Sequence, residues 1–595
     1  MDSYQQLREN CVLAFSSIFN QEISVDQVQI EQTSSDFTGD LTIVVFPLLK
    51  YSRKSPPETG QLLGEFLKKE MQEINSFEVV KGFLNIMLSD SYWVNFLQEF
   101  AVTELLQTNK NRDTKKYLVE YSSPNTNKPL HLGHIRNNLI GHAVAEILKV
   151  RGHQVIKANL INDRGIHICK SMVAWLKEGK GITPELAGKK GDHLVGDFYV
   201  AFDKLYKHEI DTLISNGLSR EEAEKNAPVI LEAQELLQKW EQDDLQTREV
   251  WQMMNEWVYA GFDTTYERMG ISFDKVYHES ETYLLGKELI KEGLERGVFY
   301  QKEDQSVWVD LTDDGLDEKL LLRPDGTSVY ITQDLGTAQL KQDDFHPDKS
   351  VYIVGNEQEY HFQVLAIILK KLQKNYADSI YHLSYGMVDL PEGKMKSREG
   401  KVVDADDLMD EMFQTALEYL NESGKANEIP ENERDGLCEM IGQAALKFYI
   451  LKTDIRKRMV FNPKESIDFQ GTTGPFVQYS YARIRSLMRK SEVDDVRLLQ
   501  FSSDLILSEP ERDILKKLYY FNDAIAEAEM NLDPSKIAHY IYHLAKSYNR
   551  FYHDYPILKE QDLSVRYFRL RLSLAVSEII SLFMNLLGIQ VPEKM

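Results

Sequence analysis

Glu120-Tyr121-Ser122-Ser123-Pro124-Asn125-Thr126-Asn127-Lys128-Pro129-Leu130-His131-Leu132-Gly133-His134 is the stretch on which the reading of this chain turns. Residues 117–119 lead into it as an apolar strand, and from Leu132 the apolar positions Leu132, Ile135, Leu139, Ala143, Ile147 and Val150 recur at helical spacing until Gly152. A second apolar run, residues 155–161, completes a strand, helix, strand unit. The two histidines therefore fall at a helix N-terminus, where unpaired N–H groups and the positive end of the helix dipole favour phosphate. Gly133 leaves room for a flat base, and two imidazoles add hydrogen bonds to a phosphate whose charge rises during reaction. An ordinary helix start with solvated histidines is the alternative for these four residues alone, and the flanking strands weigh against it. Zinc is not expected, because Cys11, Cys169 and Cys438 are scattered and spacing places no third ligand.

A chain of 595 residues with 43% hydrophobic and 10% aromatic content has room for several domains with real cores. It has no run of about 18 apolar residues and no basic-then-apolar N-terminus, which predicts a cytoplasmic protein without a membrane segment. Three unpaired cysteines agree with a reducing compartment. The formal net charge of -24 argues against nucleic acid as an average, yet the last third holds local basic, aromatic-rich clusters: Lys452, Arg456, Lys457 and Arg458; Tyr481, Arg483, Arg485, Arg489 and Lys490; Arg566, Tyr567, Phe568, Arg569 and Arg571.

Residues 1–112 read as a small α/β domain, with strands over 41–45 and 83–88, a helix over 62–71 and a polar linker over 107–116. Residues 113–460 alternate strands and helices in the manner of a parallel sheet, its second half drawing on strands over 307–309, 328–332 and 351–354, with a turn at Pro324-Asp325-Gly326. A polar, helix-prone insertion occupies about 170–270, and residues 461–595 form an α-helical bundle. Further on, Pro391-Glu392-Gly393-Lys394-Met395-Lys396-Ser397-Arg398-Glu399-Gly400-Lys401 places lysines between glycines, a loop suited to a triphosphate.

His-Leu-Gly-His and this loop, at residues 394–398, resemble the HIGH and KMSKS signatures of class I aminoacyl-tRNA synthetases. Ser122-Ser123-Pro124-Asn125, Asn162-Asp163-Arg164-Gly165, Tyr330-Ile331-Thr332-Gln333-Asp334 and Gly474-Pro475-Phe476-Val477-Gln478-Tyr479 are similar to motifs of the arginyl-tRNA synthetases, as are Gly39-Asp40 and Gly82-Phe83-Leu84-Asn85 to that family's N-terminal domain. The resemblance implies a Rossmann-type catalytic domain, an N-terminal domain on the tRNA D-loop or elbow, and a helical anticodon-binding domain. It implies that arginine and ATP, with Mg2+, give arginyl-adenylate and pyrophosphate, that arginine then passes to the 3′ end of tRNA-Arg, and that activation needs bound tRNA. His131, His134 and Lys394 would act on the phosphates, and Gly133 and Met395 would complete the ATP site. The fourth position of a full KMSKS is lysine and here is Ser397; Lys128 is the expected substitute, with Lys396 as its rival.

A guanidinium demands carboxylates in fixed geometry. The resemblance puts Tyr330 and Asp334 on the arginine side chain, Asn125 and Gln358 on its polar groups, and Glu120 and Glu279 as further acids; Asp334 is expected at the end of the 328–332 strand. Gln478, Tyr479, Tyr481, Arg483 and Arg485 are expected at the RNA, where aromatics among arginines suit splayed bases. The chain is expected to work as a monomer. The rival readings are a non-catalytic tRNA-binding paralogue and a small-molecule nucleotidyltransferase of the HxGH type.

Overall fold

The computed structural model describes residues 3–34, 36–107, 113–391, 403–422 and 429–595. In the N-terminal part, β1 (Ile30–Gln32), β2 (Leu41–Val44), β3 (Ile74–Val80) and β4 (Phe83–Leu88) make an antiparallel sheet in the order β1-β2-β4-β3. Helix α1 (Pro56–Glu70) starts on the Ser55 cap and lies close on this sheet; a Cβ at Gly64 would meet the Phe77 ring at 2.4 Å.

The next segment builds a five-stranded parallel sheet, β12-β11-β5-β6-β7, from β5 (Lys116–Glu120), β6 (Gln154–Ile161), β7 (Lys275–His278), β11 (Lys349–Gly355) and β12 (Ile380–Tyr385). Chain order runs outward from β5 through β6 to β7 and, on the other side, from β11 to β12. The crevice at the carboxyl ends of β5 and β11 is thus the topological switch point, where ligands of open parallel sheets bind. Helix α2 (Leu132–Val150) rises from it, with Leu132, Ile135, Leu139, Ala143 and Ile147 all buried. The insertion is helical, chiefly α3 (Ile166–Ala174), α4 (Gly191–Ser215), α5 (Pro228–Glu241) and α6 (Leu245–Met269), packed on one another.

Two strand expectations are corrected. Residues 307–309 are β9 of a separate antiparallel sheet with β8 (Phe299–Gln301) and β10 (Lys319–Leu322), not part of the parallel one. Residues 328–332 are not a strand: Ser328 makes one bridge to Leu322, and helix α7 (Tyr330–Phe345) starts at Tyr330. Val329, Ile331 and Thr332 imitate a strand locally, but Thr332, Leu335, Gly336 and Ala338 pack at helical spacing against another helix, whose Gly286 lies so near that a Cβ there would fall 1.8 Å from the Thr332 carbonyl oxygen.

A short β13 (Val388–Asp389) pairs with β14 (Met459–Val460). Between them in sequence lie α8 (Ala405–Glu422) and α9 (Glu431–Leu451), and after them α10 (Gly474–Lys490), α11 (Glu509–Tyr519), α12 (Phe521–Asn531), α13 (Ser535–Asp554) and α14 (Leu563–Leu586) form the C-terminal bundle. The N-terminal sheet docks on this bundle. Buried Asp40 accepts the Leu88 N–H at 2.7 Å and pairs with Lys516 at 2.5 Å, and the Tyr520 hydroxyl donates to the Asp40 carbonyl at 2.6 Å. The basic run at Arg566 to Arg571 is partly a clamp: buried Arg569 pairs with Glu511 at 2.8 Å and Glu560 at 3.0 Å, and buried Arg571 donates to the Phe100 carbonyl.

Candidate active site

His131 is the extended N-cap of α2. Its Nδ1 accepts the Gly133 N–H at 3.1 Å, and Nδ1 of His134 accepts the His131 N–H at 3.1 Å, with the ring centroids 3.9 Å apart. Each Nδ1 lone pair is thereby used, which assigns the proton of both neutral rings to Nε2. Burial, then nearby Lys128, lowers the His131 pKa to about 4; burial, His131 and Lys128 push His134 down too. At neutral pH the pair is two uncharged Nε2–H donors. Buried Arg136 fixes the helix they start, donating to the carbonyls of Met387 at 3.0 Å, Ile455 at 3.2 Å and Lys457 at 2.8 Å.

Before the turn, Ser122 (φ 78) and Ser123 (φ 47) are left-handed, a strain of about 1–3 kcal/mol each. Neighbours hold them: the Ser122 N–H donates to Asn137 at 2.5 Å, the Ser123 N–H to Asn159 at 3.0 Å, and Ser122 Oγ lies 2.6 Å from the Tyr266 hydroxyl. The bend brings Asn125, exposed, beside Asn162 at the end of β6. Half-buried Lys128 follows, its pKa lowered by burial, and α4 packs on its backbone; a Cβ at Gly196 would lie 3.0 Å from Pro129 Cδ. Lys394, Met395 and Lys396 lie outside the described residues. The flanks of their segment are placed: β13 precedes it, and after it the Val403 carbonyl accepts the Leu132 N–H at 3.0 Å while the Ala405 N–H donates to Leu130 at 2.9 Å.

The expected acids do not share one environment. Asp334 stands in the first turns of α7 rather than at a strand end, with His361 Nε2 2.5 Å from its carboxylate. Tyr330 opens the same helix, 77% exposed, and exposed Gln358 closes a turn just after β11. Half-buried Glu279 follows β7; burial lifts its pKa to about 7, Arg164 opposes the rise, and Asp163 and Asp334 add to it. Asp163 holds the turn carrying Glu279, accepting from the Ser280 N–H at 2.8 Å, Ser280 Oγ at 2.7 Å and the Tyr259 hydroxyl at 2.8 Å. Glu120 is different: it is buried, 2.5 Å from the buried ammonium of Lys341 on α7. Sequence reading missed Lys341 and His361. Lys341 was detectable as a charge continuing the buried helical stripe of Leu335 and Ala338.

On the bundle, Arg483 lies over the rings of Tyr479 (4.7 Å) and Tyr552 (5.1 Å) and donates to Asn549 at 2.6 Å. Arg485 pairs with Glu593 at 2.9 Å, to which the Tyr481 hydroxyl also donates at 3.3 Å. Gln478 is corrected: it is 0% exposed, its amide donating to the carbonyls of Met440 at 3.2 Å and Gln590 at 2.8 Å, so it ties α10 to α9 and to the segment after α14 and presents nothing to RNA. A basic groove not foreseen lies between α11 and α13, about 430 Å³, lined by Lys517, His543, Lys546, Ser547 and Arg550. Its spacing on α13, one helix face, was the available signal.

The model of a family described as tRNA synthetases class I (R), catalytic domain, matches residues 97–462; that of the DALR anticodon binding domain matches residues 477–595, and that of the arginyl tRNA synthetase N terminal domain residues 5–88. The arginine–tRNA ligase of Bacteroides fragilis is 52% identical over 594 residues, covering 99% of each chain, and that of Porphyromonas gingivalis 52% over 601 residues, covering 100% of each. Among solved structures, Thermus thermophilus arginyl-tRNA synthetase shares the fold over 100% of both chains, with a TM-score of 0.80 at 23% identity. No helix among the described residues is long and apolar enough to cross a membrane.

Proposed function

The chain belongs to the arginyl-tRNA synthetase family and is an arginine–tRNA ligase, and from that premise we propose that the turn at His131 to His134 is where it activates L-arginine with ATP. The observation that carries this reading is the pair of neutral Nε2–H donors at a helix N-terminus in the switch-point crevice.

In-line attack of the arginine carboxylate on the α-phosphate needs positioning and charge stabilisation, with no covalent enzyme intermediate. His131 and His134 donate to phosphate oxygens as their charge grows, and Gly133 lies against adenine. Mg2+ accompanies ATP as part of the substrate. Lys128 supplies positive charge in place of the missing loop lysine, and Lys394, with Met395 beside it, takes the departing pyrophosphate; both loop roles rest on sequence alone. Asp334 and Glu279 receive the guanidinium, Tyr330 covers it, and Asn125 and Gln358 meet the substrate's polar groups. Glu120 contributes through Lys341, whose charge it balances.

Arginine then passes to the 3′ end of tRNA-Arg. Tyr479, Tyr481, Arg483 and Arg485 face the anticodon region, the N-terminal domain meets the tRNA elbow, and one chain suffices for the reaction. ATP–pyrophosphate exchange with each amino acid, with and without tRNA, tests the reading. Exchange with arginine only when tRNA-Arg is present is expected; exchange with another acid, or none under any condition, would overturn it.

A further inference from the structure

Where α4 and α6 of the insertion meet the start of α8, Lys190, Asp192, His193, Thr265, Asp404 and Asp406 converge. Asp406 Oδ2 accepts a hydrogen bond from Lys190 Nζ and lies 3.0 Å from His193 Nε2, while its Oδ1 accepts from Thr265 Oγ1 at 3.1 Å. Lys190 Nζ also donates to Thr265 Oγ1 at 2.5 Å. Asp192, His193 and Asp406 bring their ligand atoms within 4.8 Å of one another, a grouping able to hold an ion. The ammonium of Lys190 already bonds Asp406 and lies 3.2 Å from Asp192, so a side chain supplies the cation.

Nothing local requires this cluster. The start of α8 is capped by Asp404, whose Oδ1 accepts the N–H groups of Asp406 at 2.8 Å and Asp407 at 3.3 Å, which leaves the Asp406 side chain free of capping. Its partners lie more than a hundred residues away in sequence, at the start of α4 and on α6 of the insertion. One residue before Asp404, the Val403 carbonyl accepts the Leu132 N–H; one residue after it, the Ala405 N–H donates to Leu130; Asp404 itself is bridged to His131. The helix that Lys190 caps and that carries His193 packs, through Gly196, on Lys128 and Pro129.

We propose that Asp406 is a positioning residue for adenylation: clasped by Lys190, His193 and Thr265, it holds segment 403–405 against the histidine turn and so sets the aim of both Nε2–H donors. The inference rests on reading that turn as the adenylation site. A misplacement of about 1 Å at such donors is enough to lower a rate by about a hundredfold, which makes a remote clasp kinetically visible. The charges facing His193 are Asp406, Asp404 and Asp192 against Lys190; the hydrogen bond to Asp406 outweighs burial and holds the imidazole pKa above its ordinary value. The clasp is therefore complete with cationic His193 and weakens as pH rises through that value.

The test is tRNA-dependent, arginine-dependent ATP–pyrophosphate exchange of the full chain as a function of pH, with Asp406→Asn, His193→Gln and His193→Lys. Asp406→Asn should lower kcat by about tenfold to a hundredfold while KM for arginine stays put. His193→Gln should show a smaller loss and no alkaline fall, and His193→Lys should regain activity with a flat alkaline side. Should Asp406→Asn fail to fold, the two His193 variants decide. Unchanged kcat and pH profile in every variant would overturn the inference, as would losses that track thermal stability and that lysine does not rescue. A wild-type chain without exchange would instead remove the reading beneath it.

Discussion

The ammonium of Lys341 lies 2.5 Å from the carboxylate of Glu120, and both groups are buried, Lys341 on the same helix as Asp334. Removing one partner leaves an uncompensated buried charge. Lys341→Met should destabilise the fold by about 3–5 kcal/mol, and adding Glu120→Gln should recover most of that loss. Calorimetric melting of the single and double variants checks it; a double variant as unstable as the single one would show that the two charges are not a pair.

His134→Ala removes one phosphate donor and should raise the adenylation barrier by about 2–4 kcal/mol. Pre-steady-state formation of arginyl-adenylate measures this directly, and an unchanged rate would take the histidine turn out of the mechanism.

Acid should act on the same turn, through His131, and on the helix it starts, through His142 in mid-α2. His131 and His142 have pKa values lowered to about 4 in the folded chain, below their ordinary value of 6.5, so the unfolded chain binds more protons between those limits. Their contribution to stability is complete above pH 6.5 and is lost as pH falls toward 4. Melting temperatures of the wild type and His131→Asn across that range should diverge least at acid pH; parallel curves would refute the assignment.

Glu279 has its carboxyl pKa raised to about 7, and a guanidinium pairs with the ionised form. KM for arginine should therefore fall as pH rises through about 7 and level off above it. In Glu279→Gln that dependence should vanish, with KM for ATP unaltered; a slope surviving in the variant would point to another group.

The basic groove between α11 and α13 should follow the RNA backbone. Replacing Lys546 and Arg550 together by Ala should reduce the salt dependence of tRNA-Arg binding by a slope of about 2, at similar cost for any tRNA sequence. Filter binding at several salt concentrations reads the slope. Gln478→Ala, by contrast, should lower stability without altering that slope, since its amide serves two internal carbonyls.

What lay open in the sequence was everything set by neighbours along the chain. The 3.6-residue recurrence from Leu132 to Ile147 and the strands on either side of it predicted a strand, helix, strand unit with the histidines at the helix start, and α2, β5 and β6 have those places. Periodicity suffices there because burial on one face is what forms such elements. It misled at residues 328–332, where β-branched residues imitate a strand although a helix packed closely on Gly286 starts at Tyr330.

Charge partners were decided by the tertiary structure alone. Glu120 meets Lys341, Asp334 meets His361 and Asp406 meets Lys190 across gaps in sequence that no local pattern spans, while Gln478, which heads an aromatic and basic run, turns inward. Electrostatic pairing depends on distance in space and on the water excluded around it, and only the tertiary fold fixes both. The sequence by itself thus determined a helix N-terminus with two histidines at the sheet's switch point; the fold decided which carboxylates are already paired and which are not.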